Sequence, residues 1–332
     1  MGAVSPAGIG VEALLAPREI VPETIAAFGS GVAWPVFRVN QKQERLARWQ
    51  NEARLRRTSA IALFMLEAAK QALGETRPAS LGTVAAFGTG AVIPTRRFYE
   101  NVIKSGPRFA SPNIFPETVF NSPTSHIASV LGVSGPCYSV LGDESAWVNA
   151  VGIAATWLAT DVVEYALVIG AEEFDPIILD AYTKVRWLRR DGPFVPAEGA
   201  GALLLQRAGP GQKLQVLAVC EGFPYWNKRE ARRAAEELVG AAFLPRPDGQ
   251  SRNKNVAPTI YRSAQHNWFG SIEAELHRAH NFTSPPALPY VGEAFTASAA
   301  WHTMRALAVG GRILQPVWGL NEQCSALLLA AG

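Results

Sequence analysis

Short, predominantly apolar runs recur along this 332-residue chain. The clearest are residues 81–87 (LGTVAAF), 165–170 (YALVIG) and 199–206 (GAGALLLQ). Continuous apolar runs of this length are typical of strands that are buried on both faces of a sheet, whereas half-exposed strands alternate polar and apolar residues. Between them, residues 52–73 and 146–158 carry apolar side chains at helical spacing. The alternation predicts an α/β fold with helices on both sides of its sheets.

The same pattern continues to the end of the chain. Further strands are predicted at residues 139–141, 214–219, 258–263 and 325–330, and a charged amphipathic helix is predicted at 228–242. The turn-rich segment Gly209-Pro210-Gly211 separates two of the strands. We therefore predict two halves, residues 1–209 and residues 210–332.

Composition excludes several classes of protein. The net charge of +3 is small and no long basic run occurs, which argues against a nucleic-acid partner. No apolar run reaches the ~18 residues of a membrane-spanning helix, and the first residues lack a signal-peptide pattern. Cys137, Cys220 and Cys324 are widely spaced and form neither a CxxC pair nor a zinc cluster. We expect a cytoplasmic protein with no membrane segment, metal or cofactor.

Several motifs occur together in one order. The chain opens with GAVSPAG at residues 2–8, and Gly135-Pro136 precedes a strand and a tight turn. VIGAEE follows at 168–173, and DGPFVPAEGAGA at 191–202 is the most specific segment. Their order and spacing resemble those of the β-ketoacyl synthases, which have GxVSPxG and DGFVxGEGAG patterns.

The resemblance implies a thiolase-like fold. Such a fold has two similar α/β halves, each with a mixed five-stranded sheet, in five αβαβα layers. The family usually has a strand ahead of GxVSP, and this chain begins at that turn. Residues 120–123 (FNSP), 142–145 (GDES) and 292–295 (GEAF) are most similar to the chain length factors of type II polyketide and aryl-polyene systems.

The resemblance also implies where condensation chemistry would lie. The family uses a cysteine at a helix N-terminus, where the helix dipole lowers the thiol pKa, and two histidines that promote decarboxylation. On that pattern, Glu144 stands at the cysteine and Glu293 at the second histidine. Leu288 stands near the family's lysine, and the closing glycine-rich loop has become residues 319–324 (GLNEQC). No catalytic residue for condensation is therefore expected.

Other candidate nucleophiles and bases have ordinary structural interpretations. His266 lies a few residues out of register with the family's first histidine, and we interpret it as structural. The other histidines are interpreted in the same way: His126, His277, His280 and His302. The three cysteines are expected to be small buried side chains. Residues 143–145 also fit a simple helix cap, and this alternative equally predicts no condensation.

The leading hypothesis is a chain length factor. Such a subunit forms a heterodimer with an active ketosynthase and limits acyl or polyene length by filling the acyl tunnel. Phe120, Asn121 and Trp147 are candidates for the tunnel or the interface, with core packing as the alternative for the two aromatic residues. Five arginines are candidates for binding an acidic acyl carrier protein, with a solvated helix face as the alternative: Arg54, Arg57, Arg186, Arg189 and Arg190.

Two other functions stay open from the sequence. Glu144 and Glu293 would form a carboxyl pair with separated pKa values in a decarboxylase of malonyl-carrier protein, or in an acyltransferase. A catalytically silent homodimer that binds a carrier protein is the remaining possibility.

Overall fold

The computed structural model describes residues 1–15, 19–188, 194–209, 211–243, 259–261, 269–282, 290–320 and 323–332. The strands over these residues are β1 (Gly2–Ser5), β2 (Gly8–Ile9), β3 (Glu23–Ala26), β4 (Ala33–Val36), β5 (Leu81–Phe87), β6 (Cys137–Leu141), β7 (Tyr165–Glu172), β8 (Gly199–Gln206), β9 (Leu214–Pro224), β10 (Thr259–Ile260), β11 (Gly311–Gly319) and β12 (Gln323–Ala331). The helices are α1 (Val11–Leu15), α2 (Glu44–Gln50), α3 (Ala60–Leu73), α4 (Val92–Ser105), α5 (Ser122–Leu131), α6 (Ser145–Ala159), α7 (Pro176–Lys184), α8 (Lys228–Phe243), α9 (Phe269–His280) and α10 (Phe295–Val309).

The first sheet has the strand order β2-β1-β8-β7-β5-β6. β5 runs parallel to both β6 and β7, whereas β8 is antiparallel to β7 and to β1. Every residue of β5 is buried, as its continuous apolar sequence predicts. Because the three parallel strands run in one direction, their carboxyl ends meet at the same edge of the sheet.

The second sheet has the order β10-β11-β12-β9 over the described residues, and β3 and β4 form a separate hairpin. The number of strands in each sheet therefore differs from the five that were expected. The first sheet has six because the two-residue strand β2 pairs with β1, and the second has four within the described ranges. The strand predicted at 258–263 is described only at its centre, as β10. All strands of the first sheet precede residue 207 and all strands of the second follow residue 213, while the boundary at 209 stays a prediction.

The two sheets and their helices form five layers. α3 and α5 cover the outer face of the first sheet, and α8 and α9 cover the outer face of the second. α6 and α10 lie between the sheets, where the indole rings of Trp147 and Trp301 are almost fully buried. This is the αβαβα arrangement expected from the sequence.

One predicted helix is shorter than its periodicity indicates. Residues 52–73 do not form one helix, because α3 begins only at Ala60. Glu52 instead accepts a hydrogen bond from the backbone N–H of Arg54 and caps a single 3₁₀ turn. No helix among the described residues combines the length and apolar character needed to cross a membrane.

Candidate functional site

The candidate site lies where the parallel strands of the first sheet end. β5, β6 and β7 finish at Phe87, Leu141 and Glu172, and α6 begins just after β6. From the other side, α10 packs across β7 and β8, and Glu293 lies immediately before this helix. The carboxyl ends of parallel strands are a common location for binding sites in α/β proteins.

Glu144 occupies the N-cap position of α6, but its side chain does not cap the helix. The side chain is buried and turns toward the β11–β12 connection, where the backbone N–H of Leu320 donates a 3.2 Å hydrogen bond to Oε2. Burial raises the pKa of Glu144 well above its ordinary value, and the charges of Glu293 and Asp143 raise it further. The neutral acid is therefore the favoured form of Glu144.

Asp143 performs the capping. Its Oδ1 accepts a 3.0 Å hydrogen bond from the backbone N–H of Ser145 and a 3.1 Å hydrogen bond from Nε2 of Gln323. Gly319 lies so close that a Cβ there would be 2.1 Å from Oδ2 of Asp143. Asp143 thus connects the start of α6 to the turn between β11 and β12, and the cap interpretation holds for Asp143 but not for Glu144.

Glu172 lies at the end of β7 and is held by the loop after β5. Its carboxyl group accepts hydrogen bonds from the backbone N–H groups of Gly88 and Thr89, and from the Thr89 hydroxyl at 2.7 Å. Oγ1 of Thr296 lies 3.2 Å from Oε1 of Glu172. Burial outweighs these hydrogen bonds and raises the pKa of Glu172 to about 7.

Glu173 points to the other face of the sheet. It accepts hydrogen bonds from the backbone N–H groups of Ile61, at 3.2 Å, and Ile93, at 2.9 Å. Burial raises its pKa to about 7 as well. Glu198, at the start of β8, is buried beside them and forms a 2.7 Å ion pair with Arg38. These acids connect the strand ends to α3, α4 and the segment before α2.

Glu293 faces Glu144 across the site. Its backbone is fixed by two 2.8 Å hydrogen bonds, one to Val195 and one from Ala197. Oε1 of Glu293 is buried and has no hydrogen-bond partner among the described residues. Burial raises the pKa of Glu293 to about 7, and the charge of Glu172 acts in the same direction. Glu144, Glu172 and Glu293 therefore form one group of buried, mutually repelling carboxyls, which we call the carboxyl cluster.

Four aromatic side chains pack beside the carboxyl cluster, and we call them the aromatic cluster: Tyr182, Trp187, Phe194 and Phe295. The ring centroids of Tyr182 and Phe295 are 5.5 Å apart, and those of Trp187 and Phe295 are 5.8 Å apart. Burial and the charges of all three acids of the carboxyl cluster raise the pKa of Tyr182 well above its ordinary value, so its hydroxyl stays protonated. Phe295 begins α10 with φ of 42°, a conformation that costs a non-glycine residue on the order of 1–3 kcal/mol.

The structure brings together only part of the predicted site. Glu144 and Glu293 meet, whereas Trp147 is fully buried between the sheets and donates a 2.8 Å hydrogen bond to Oγ1 of Thr303. Phe120 and Asn121 are exposed at the start of α5, where the Phe120 ring covers Gly90. Leu288, His266, Arg189 and Arg190 lie outside the described residues.

The predicted arginines that the structure describes lie on the surface. Nη1 of Arg54 donates a 2.7 Å hydrogen bond to the Ser129 carbonyl, and Nη1 of Arg57 donates one of 3.1 Å to Oδ1 of Asn113. Arg186 is exposed just after α7. Sequence reasoning assigned no role to Glu172, Glu173 or the aromatic cluster. The sequence does contain one signal for Glu172 and Glu173: the two acids follow an apolar run that is typical of a strand buried on both faces.

None of the cysteines has the environment of an activated thiol. Cys220 and Cys324 are buried as expected, and burial raises the pKa of Cys324 to about 12. Cys137 is exposed, which contradicts the expected burial, because it lies on β6 at the end of the first sheet. Nε2 of His126 lies 2.9 Å from Oε2 of Glu117, away from the carboxyl cluster. Among the described residues, no group of three or more potential metal ligands is arranged to hold an ion.

Several exposed apolar side chains lie on β6 and in the segments that precede it in the sequence. This strand is at one end of the first sheet over the described residues, and Tyr138 and Leu141 on it are 56% and 50% exposed. Half of the large exposed apolar side chains of the described chain fall between residues 99 and 141. We call this surface the β6 face: Tyr99, Ile103, Phe109, Phe115, Val119, Phe120, Tyr138 and Leu141. Such a concentration is typical of a protein–protein interface.

Comparison with known sequences points to one family. Residues 39–210 match the family model described as "Beta-ketoacyl synthase, N-terminal domain". The chain is 24% identical over 281 residues to 3-oxoacyl-[acyl-carrier-protein] synthase 2 of Coxiella burnetii, a match covering 76% of this chain and 63% of the relative. It is 31% identical over 173 residues to the putative polyketide beta-ketoacyl synthase 2 of Streptomyces cyaneus, covering 45% and 40%. The chain thus spans less than two thirds of the length of either relative.

Comparison with solved structures establishes the thiolase-like fold. The ishigamide ketosynthase/chain length factor superposes with a TM-score of 0.77 at 18% identity, covering 99% of this chain and 97% of that one. A type II polyketide synthase acyl-carrier protein complex with its ketosynthase bound to the hexaketide gives 0.75 at 15%, covering 100% and 97%. A ketosynthase in complex with its chain length factor from Xenorhabdus doucetiae gives 0.72 at 12%, covering 100% and 96%.

Proposed function

Because the chain belongs to the β-ketoacyl synthase family, we propose that it is a non-condensing subunit of the chain-length-factor type, which pairs with an active ketosynthase. The observation that carries the proposal is the buried carboxyl group of Glu144 at the N-terminus of α6. Attack of a carboxylate on a thioester yields a mixed anhydride rather than an exchangeable thioester. The raised pKa favours the protonated acid, which is not a nucleophile.

The other groups near the site do not replace a cysteine. Cys324 directly follows Gln323, which contacts Asp143, but its thiol packs with the α8–α9 layer and stays protonated at neutral pH. Glu293 occupies the position at which the resemblance places an imidazole. A carboxyl group that changes charge near pH 7 among two other acids is poorly suited to stabilise the negative charge of a decarboxylating malonyl unit.

The aromatic cluster supports a role in limiting chain length. Tyr182 and Phe295 are both about 5% exposed and their rings pack on each other, and the charges of all three acids of the carboxyl cluster act on the Tyr182 hydroxyl. A pocket filled by such side chains has no room for a further two-carbon unit of a growing acyl chain. We therefore assign this role to the aromatic cluster, and we assign Trp147 to core packing.

The β6 face supports pairing with a ketosynthase. It combines exposed aromatic side chains with an edge of β6 that pairs with no strand of the described residues, and both features favour a specific protein partner. Phe120 belongs to this surface and the exposed Asn121 is the next residue in the chain, so both keep their proposed place at the interface. Two of the similar structures described above are ketosynthases with chain length factors. Arg54, Arg57 and Arg186 remain the proposed contacts for an acidic acyl carrier protein.

Co-expression with an active type II ketosynthase tests the pairing. We expect a one-to-one heterodimer in native mass spectrometry. Tyr138→Glu should weaken this heterodimer about 30-fold, the factor that corresponds to ~2 kcal/mol for a buried interface aromatic. Tyr165→Glu, a change on a different strand of the same sheet, serves as the matched control. A chain that stays monomeric or forms only homodimers beside the folded ketosynthase contradicts the proposal.

Decarboxylation of a malonyl-carrier protein is a second candidate, favoured by the lone buried Oε1 of Glu293. In that case Glu293 would exchange a proton with the substrate near neutral pH. The purified chain, incubated with malonyl-carrier protein, should then release CO₂, and Glu293→Gln should abolish the release. Absence of CO₂ with the folded chain excludes this second function and leaves the first intact.

A further inference from the structure

Three polar side chains meet where α5 begins: Glu117, Ser122 and His126. Oε2 of Glu117 lies 2.9 Å from Nε2 of His126 and accepts a 2.8 Å hydrogen bond from the Ser122 hydroxyl. A carboxylate oxygen accepts hydrogen bonds, so Nε2 of His126 is the donor in the first contact. The side chains of Glu117 and His126 are only 12% and 15% exposed, and water therefore weakens their contact less than it weakens a pair on the open surface.

These contacts close the segment between the 3₁₀ turn at Phe115–Thr118 and the start of α5, which we call the 117–122 turn. Within it, the backbone N–H of Ser122 donates a 3.0 Å hydrogen bond to the carbonyl of Val119. Glu117 and Ser122 stand at the two ends of the turn, so the hydrogen bond between their side chains joins those ends. His126 lies one helical turn after Ser122 and holds the same carboxylate.

The 117–122 turn carries two apolar side chains of the β6 face. Val119 and Phe120 are 40% and 48% exposed. The Phe120 ring packs on Gly90, where a Cβ would lie 2.6 Å from Cδ1 of the ring. An apolar side chain on a flexible turn loses conformational freedom when a partner buries it, and this loss weakens binding. A turn whose conformation is already fixed avoids much of that loss.

We propose that His126 is a positioning residue of the pairing surface. Through Glu117 it holds the 117–122 turn, and with it Val119 and Phe120, in the conformation that the ketosynthase binds. This inference rests on the proposed function, because it takes the β6 face as the surface that pairs. A hydrolytic role does not fit the geometry, since Nε2 of His126 faces both Glu117 and Ser122, whereas the acid and the serine of a catalytic triad contact different ring nitrogens.

The dissociation constant of the heterodimer with an active type II ketosynthase tests the proposal. His126→Leu cannot donate to Glu117, and we expect the dissociation constant to rise about tenfold. His126→Gln carries an amide N–H donor near the place of Nε2 and should restore the affinity to within about twofold of that of the unaltered chain. Thr303→Val is the control for lost stability, because it removes the buried 2.8 Å hydrogen bond of Trp147 between the sheets and should leave the dissociation constant unchanged.

A second variant removes the acceptor in place of the donor. Glu117→Met should weaken the heterodimer as His126→Leu does, and it replaces that variant if His126→Leu fails to fold by circular dichroism. The double variant should bind as tightly as either single variant, because all three lack the same contact. Independent, additive losses of affinity would contradict a shared role of the two residues.

Hydrogen–deuterium exchange over residues 118–122 tests the turn in the single chain, without a partner. We expect exchange about tenfold faster in folded His126→Leu than in the unaltered chain, and no change in His126→Gln. Unchanged exchange in His126→Leu overturns the proposal, and so does a heterodimer that binds this variant as tightly as the unaltered chain. Either result leaves the proposed function standing. If the unaltered chain forms no heterodimer, the proposed function fails, and the role of His126 in pairing fails with it even where exchange shows that His126 holds the turn.

Discussion

Buried acids are the most unusual residues of this chain. The charges of Glu144, Glu172 and Glu293 act on one another, and burial is the main cause of the raised pKa of each. A carboxyl group with a raised pKa in the folded state binds its proton more tightly there than in the unfolded chain. The folded state is therefore favoured at low pH, and this contribution is lost as pH rises from the unfolded pKa, near 4.5, through the folded pKa, near 7.

The first prediction concerns this pH dependence. The free energy of unfolding should fall between pH 5 and pH 8, by on the order of 3 kcal/mol for each acid whose pKa in the folded state is about 7. Glu293→Gln removes one titrating group and should flatten the profile, which urea denaturation at four pH values measures. Glu75→Gln, at an exposed position, should leave the profile unchanged. A Glu293→Gln profile as steep as that of the unaltered protein contradicts the prediction.

Sequence alone identified only part of this site at the residue scale. Glu144 and Glu293 were found because the resemblance gives their positions a chemical role. Glu172 was part of a quoted motif, but nothing in the motif shows that its carboxyl group turns into the same space as Glu144. That convergence depends on β5, β6 and β7 being parallel neighbours, which residue spacing does not reveal.

The residues at which a helix begins and ends depend on tertiary contacts, and the spacing of apolar residues in the sequence does not show these contacts. Ten consecutive residues of α3, from Ala60 to Ala69, are buried, so its apolar pattern has no clear polar side that marks a beginning. The start of α6 was predicted within one residue because residues 142–145 combine a glycine with capping residues. Residues far along the sequence determine that Asp143, and not Glu144, caps the helix. Gln323 donates a hydrogen bond to Asp143, and Gly319, which has no side chain, lets the Asp143 carboxylate lie against its backbone.

The second prediction follows from that close approach. In Gly319→Ala the new methyl group would lie 2.1 Å from Asp143 Oδ2, so the carboxylate must leave its cap position or the β11–β12 turn must shift. We expect a loss of roughly 1–3 kcal/mol in the free energy of unfolding. Gly209→Ala is the matched control, because no atom lies within 4 Å of a Cβ placed there. Equal stability of the two variants in thermal denaturation would refute the assigned contact.

At the scale of the whole molecule, the resemblance to the family implied the five-layered arrangement, whereas nothing in the sequence indicated the surfaces. The buried strands at 81–87, 165–170 and 199–206 were recognisable because the layers on both sides require apolar residues at every position. The β6 face was not recognised as a surface, because its eight apolar residues are spread over 43 positions of the sequence. Its exposure in the single chain is what the proposed pairing with a ketosynthase requires.

The third prediction concerns the proposed complex with a ketosynthase. In a complex with an active ketosynthase, Phe295→Ala removes the ring that packs on Tyr182, Trp187 and Phe194, and it opens space beside the carboxyl cluster. Mass spectrometry of the released products should show chains longer by one or more two-carbon units. Phe282→Ala removes an equally buried ring from the α8–α9 layer and should leave product length unchanged, so that lost stability alone cannot imitate the effect. An unaltered product distribution from a folded Phe295→Ala complex would show that the aromatic cluster only packs the core, and chain length would then have to be set by the ketosynthase itself.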